Sequence, residues 1–136
     1  THVDLVSCTL SLKINLIREY FAIMNIIFQT NKLSKILNNQ SNIKKHYGDL
    51  APKIQQRLLQ LQAAQSLADL GPPYQGPARC HELKGNRAGQ LSVDLEHPHR
   101  LLFRPDHDPL PQRQEGGLDW SQVTRIKILS VEDTHE

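Results

Sequence analysis

The chain has 136 residues, 38% of them hydrophobic and 22% charged, with a formal net charge of +2. That is the size and make-up of one globular domain, long enough for one core but not two. Two cysteines, Cys8 and Cys80, cannot form a disulfide framework, and no run reaches the roughly 18–20 apolar residues of a membrane span, so the expected setting is the reducing cytoplasm, away from the membrane.

The first 23 residues contain no Met, and Lys13, Arg18 and Glu19 interrupt their most apolar stretch. They lack the basic start and small-residue cleavage site of a signal peptide. The chain's one Met is Met24, and MNIIFQTNKLSKIL reads as a domain's opening. The expectation is therefore an upstream extension over 1–23 and a domain over 24–136. An additional N-terminal helix is the other reading of the first segment.

Residues 24–29 are apolar and β-prone, which predicts a short strand. Leu33, Ile36 and Leu37 lie at helical spacing. The polar run Asn38-Asn39-Gln40-Ser41 can interrupt or recap that helix, and Gly48 ends it. Asp49 is the expected N-cap of a second helix, with Pro52 tolerated in its first turn. Ile54, Leu58, Leu61 and Ala64 form its apolar stripe, which should lie on a sheet. The segment GPPYQGP, residues 71–77, cannot be helix or central strand and connects to a β half. There Leu91, Val93 and Leu95 alternate with polar residues, a half-buried strand. In the next strand Leu101 and Phe103 point one way, Arg100 and Arg104 the other, after a turn at His97-Pro98. A Pro- and Gly-bearing loop over 105–117 precedes a last strand over 123–131 and a short tail over 132–136. The order β-α-α-β-β-β predicts an α+β fold, two N-terminal helices packed on one face of a mainly antiparallel sheet.

Charge is unevenly spread. Residues 32–57 hold Lys32, Lys35, Lys44, Lys45, Lys53 and Arg57 against the single acid Asp49, and Arg79, Lys84, Arg87, Arg100 and Arg104 follow. Such a basic face suits a polyanion, and a merely solvated helix face gives the same pattern. His81, Lys84 and Arg100 would form a phosphodiester-cleaving set with His135, which lies next to Asp133, if the sheet brings the chain end to the His81 turn, a convergence that chain spacing alone leaves open; a Lys at such a turn is otherwise simply exposed. One His would act as base and the other as acid, with the cations stabilising the phosphorane. With RNA the ribose 2′-OH supplies the nucleophile, so no metal is required. Cys80-His81, His97-Pro98-His99 and Asp106-His107-Asp108 contain metal-ligand types, but none has a CxxC or HExxH spacing. No metal or cofactor is expected. There is no GxGxxG, P-loop or GxSxG. Cys80 reads as a small buried residue, and Trp120 as an anchor of the preceding loop.

RCHELKGNRAGQLSVDL, HRLLF and GGLDWSQVTRIKILSVEDTHE together resemble the RelE/ParE superfamily, in particular its HigB-like "plasmid maintenance killer" branch, from about Met24 to Glu136. The resemblance implies a RelE-like fold and the toxin of a type II toxin–antitoxin pair, which enters the ribosomal A site and cleaves mRNA through 2′-OH attack. Its partner would be a small helix-turn-helix antitoxin, joined with it in a higher-order complex on operator DNA. The family's catalytic His and Lys fall on His81 and Lys84, its strand Arg on Arg100, and its terminal acid and His on Asp133 and His135. His81 would then be the base and His135, oriented by Asp133, the acid. Lys84 and Arg100 would hold the scissile phosphate. Arg87, Arg104 and the 32–57 helix face with Lys44 and Lys45 would bind RNA. Thr134 stands where the family often has Tyr, and Asn86 where an acid is common. A non-catalytic binder, either a ParE-like gyrase inhibitor or an inactive homologue held by its antitoxin, is the alternative.

Overall fold

The computed structural model describes residues 23–133. The expected extension, up to residue 22, lies outside them, as do Thr134 and His135. Strand β1, Asn25–Phe28, opens the fold. Thr30 accepts from the Leu33 N–H at 3.1 Å and so caps α1, Asn31–Leu37. The polar run after it supplies two caps rather than a loop. Asn38 closes α1 with its N–H on the Ser34 carbonyl at 3.0 Å. Asn39 starts α2, Gln40–Tyr47, by accepting from Asn42 N–H at 3.0 Å. Gly48, at φ +57, ends α2 in a conformation that a side chain disfavours. Asp49 does not cap the next helix, contrary to expectation. It lies inside a 3₁₀ turn, Gly48–Leu50, and the turn delivers the chain into α3, Ala51–Ala63, with Pro52 in the first turn.

The α3 stripe is buried as its spacing predicts, with Ile54, Leu58 and Leu61 fully inaccessible. It joins Leu37 and Ile43 of the first two helices and Leu91, Val93, Leu101, Phe103, Ile126 and Ile128 of the sheet in one core. Each such side chain contributes about 1.5–3 kcal/mol by leaving water. The fold is thus α+β, with the helices on one face of a mixed sheet.

The sheet has five strands, one more than expected, in the order β1-β5-β4-β3-β2. The additional strand is β2, His81–Glu82, which pairs antiparallel with β3, Leu91–Asp94. β4, His99–Pro105, pairs with β3 and with β5, Arg125–Asp133, both antiparallel. β1 lies parallel to β5, and the helical layer makes the crossover that a parallel pair needs. β5 starts and ends later than its sequence suggests, so Glu132 and Asp133 belong to the strand and not to a tail. A bulge shifts the β4–β5 register between Leu102 and Phe103: Phe103 faces Ile128, while Leu102 faces Ser130.

The loop before β5 is held to the body by Trp120, whose indole N–H donates to a Glu82 carboxylate oxygen at 3.1 Å. No helix among the described residues is long and apolar enough to cross a membrane.

Candidate functional site

In a pleated sheet, residues opposite each other share a face. One cross-strand row is His81, Ser92, Leu102 and Ser130, and another is Asp94, Arg100 and Glu132. The two rows are two residues apart along β4, so both lie on the face turned away from the helices. Arg104, exposed, continues that face along β4. The fold therefore brings His81, Arg100 and Arg104 to one side of the sheet. Asp133 stands opposite His99, one step on from the Arg100–Glu132 pair, so alternation sets it off Arg100's face. Glu132 is the carboxylate that shares that face. His135 lies outside the described residues, as does any contact it makes with His81.

His81 is on a strand, not a turn, and only 3% exposed. Its Nδ1 meets the Arg79 carbonyl oxygen at 2.7 Å. A carbonyl only accepts, so Nδ1 carries a hydrogen and neutral His81 keeps its lone pair on Nε2. Nε2 lies 3.5 Å from Ser92 Oγ. The Tyr74 ring stacks on the imidazole at 4.1 Å with a 16° interplanar angle. Lys84 is exposed and precedes a 3₁₀ turn, Gly85–Arg87, that Gly85 enters at φ +66.

That turn carries Arg87 back over the sheet. Arg87 Nη2 donates to Glu132 Oε1 at 2.6 Å, and Ser130 Oγ donates to Glu132 Oε2 at 2.5 Å. The β2–β3 turn is thus latched to β5 across β4. The Glu132 carboxyl is held below its usual range, first by the Ser130 hydrogen bond and then by Arg87, against the opposing effect of burial. A carboxyl depressed on folding adds stability that is present above its unfolded pKa and lost as pH falls through the folded one. The half-exposed pair should contribute about 0.2–1 kcal/mol. Urea unfolding should show wild type losing this increment below about pH 4.3, with Glu132→Gln lacking it and losing less stability over the same acid range. Parallel acid-side profiles for the two proteins would remove the latch from the stability account.

A cleft of about 1160 Å³ extends along the same face, lined by Arg87, Gln90, Arg104, His107, Arg125 and Glu132 among others. Arg125 Nε donates to Asp106 at 2.6 Å, and His107 Nε2 accepts from the Thr124 N–H at 3.1 Å. Arg87 and Arg104 meet in this cleft, whereas His81, Lys84 and Arg100 do not line it. Lys44 and Lys45 are exposed on the last turn of α2, in the helix layer, on the other side of the sheet from Arg87 and Arg104. The expected RNA-binding residues therefore form two surfaces. Arg57, expected on the basic face, is 6% exposed and belongs to neither. Its spacing was the available signal: it falls three residues after Ile54, on the buried stripe.

No family model, characterised protein or solved structure matches the chain. Residue roles must therefore come from geometry. Among the described residues no group of three or more His, Cys, Asp or Glu side chains gathers as metal ligands would. Burial, and secondarily the Glu82 charge, pushes the Cys80 thiol up to about 12, so it carries almost no thiolate at neutral pH. Asp94, Glu132 and Tyr74 are the residues that sequence reasoning left out of the site.

Proposed function

We propose that the chain is a metal-independent endoribonuclease toxin, HigB-like within the RelE/ParE superfamily, which cleaves mRNA on the ribosome and is held in check by a helix-turn-helix antitoxin. The observation that carries this is the helix-free sheet face, where Arg100 shares a row with Asp94 and Glu132, Arg104 follows on the same strand, and His81 stands in the adjacent row. Guanidinium groups on a rigid strand suit bidentate recognition of a phosphodiester. The Nδ1–H tautomer of His81, fixed by the Arg79 carbonyl, leaves on Nε2 the lone pair that a general base needs. In this reading His81 takes the 2′-OH proton, His135 protonates the leaving oxygen, and Lys84 and Arg100 hold the phosphate. Arg87, Arg104, Lys44 and Lys45 bind RNA by charge.

His81 also supplies the observation that favours a second reading. A histidine 3% exposed, bonded to backbone and covered by Tyr74, is built like a structural group. A non-catalytic binder, whether a ParE-like gyrase inhibitor or an inactive homologue bound by its antitoxin, would need no more. Expression without the antitoxin, followed by mapping of mRNA 5′ ends, separates them. Codon-phased cuts are the expected result. Gyrase stalling with a DNA-damage response, or unimpaired growth, would overturn it.

A further inference from the structure

Among the described residues, Tyr74 is the most exposed large hydrophobic side chain, at 52%. Its exposure is built in. The loop holds it by the Tyr74 N–H on the Cys80 carbonyl at 3.1 Å and the Gln75 N–H on the Pro72 carbonyl at 3.0 Å. At Gly76 a Cβ would lie 2.0 Å from the Leu70 carbonyl oxygen, so the loop path admits only glycine there. Tyr74 itself takes φ +68, and Arg79 takes φ +51. Left-handed backbone at two side-chain-bearing residues is strained, and strain of this kind collects where function over-determines a conformation.

The held ring has an imidazole and a cation as neighbours. One face stacks on His81, and the Arg79 guanidinium carbon lies 5.5 Å from the ring centroid. Arg79 Nε is 3.6 Å from one Asp94 oxygen, and Arg100 Nε is 3.7 Å from the other. Asp94 therefore links the aromatic ring's cation to the arginine at the start of β4. Both contacts are long, so each guanidinium retains N–H groups for another oxyanion.

We propose that Tyr74 is the stacking platform for a base of single-stranded RNA, with the adjoining phosphate gripped between Arg79 and Arg100. The proposal rests on the RNA reading above, and it adds the nucleotide subsite at the β2 edge. An exposed ring with an arginine beside it, and a second arginine one carboxylate further on, is the kind of arrangement by which proteins hold unpaired bases without reading sequence. It also gives the strained loop a purpose: the ring is kept out of the core and parallel to the imidazole beneath it.

The test is fluorescence anisotropy of labelled octauridylate and octaadenylate against the full chain and its variants. Tyr74→Gly removes the ring and relieves the positive φ, so the fold should survive, as urea unfolding will check. It should weaken both RNAs on the order of ten-fold with an unchanged salt slope, since stacking releases no counterions. Tyr74→Phe should stay within about two-fold of wild type, because the ring face is kept. Arg79→Ala should weaken binding and reduce the salt slope by about one. RNA affinity of Tyr74→Gly equal to wild type would overturn the platform, as would equal losses for the Gly and Phe variants. Retained RNA binding with weakened capture by the antitoxin would mark the ring as a protein anchor and also overturn it. The two proposals fail separately: phased cuts by a protein whose Tyr74 is dispensable sink only the platform, and a ring-dependent RNA binder without cuts sinks only the nuclease.

Discussion

Arg57→Ala is expected to destabilise the protein by about 2–4 kcal/mol and to lower its melting temperature by roughly 10 °C. The guanidinium makes three hydrogen bonds that join three parts of the chain. Nε donates to the Asp94 carbonyl at 2.6 Å, Nη1 to Gln60 Oε1 at 2.9 Å, and Nη2 to the Pro77 carbonyl at 3.3 Å. Burial pulls its pKa down, and the Asp94 and Glu96 charges oppose that pull. An arginine remains charged through any such shift, so the buried cation has to be solvated by those acceptors. Truncation leaves the Asp94 and Pro77 carbonyls short of a charged donor and opens a gap between α3 and the end of β3. Arg57→Met separates the two causes, since it fills the space without donating. It should lose nearly as much as Ala in urea unfolding at unchanged slope. A Met variant as stable as wild type would show that packing, not hydrogen bonding, is what Arg57 supplies. The position also matters for the site. The strand end it holds carries Asp94, and the loop it holds carries Tyr74.

The helical half of the fold was legible because its signals are local. Asn39 caps α2 with its own side chain and Asn38 closes α1 with its backbone N–H, and the α3 stripe follows the helical period. What was not legible depends on partners distant in the chain. β2 is two residues long and exists only because His81 and Glu82 meet Ser92 and Leu91. The choice of acidic residue was lost for a similar reason. Strict alternation from Ile126 and Ile128, both inward, would turn Glu132 inward and Asp133 outward, beside Arg100. The bulge inserts Leu129 into β5, so Ser130 faces Leu102 and the phase reverses. Glu132 thereby lands opposite Arg100. A bulge has no dependable sequence signature in RIKILSVED, so only the paired strands reveal it. The outward direction of Arg100 and Arg104 was legible, because β4 alternates without interruption around Leu101 and Phe103.

On the proposed nuclease reading, Arg100→Ala should lower cleavage of translated mRNA by about 10²–10³-fold, the usual loss when one preorganised group that stabilises transition-state charge is removed. Stability should fall by about 1–2 kcal/mol, because the contact given up is a long, mostly buried ion pair at 3.7 Å and the Asp94 Oδ1 it faces is buried without a hydrogen-bond partner. Asp94 is not abandoned, since Arg79 remains 3.6 Å from its other oxygen. Lysine is a point charge without the planar fork, so Arg100→Lys should recover RNA affinity more than rate. Arg104→Ala should act differently. It lines the cleft, which Arg100 does not, so its loss should weaken association and reduce the salt slope by about one while leaving bound-state cleavage close to wild type. Mapping of 5′ ends in a reconstituted translation reaction, beside urea unfolding of each variant, measures all of these. Full cleavage by a folded Arg100→Ala protein would take the phosphate away from β4. The helix-free face would then be a binding surface, and the covered His81 a structural residue.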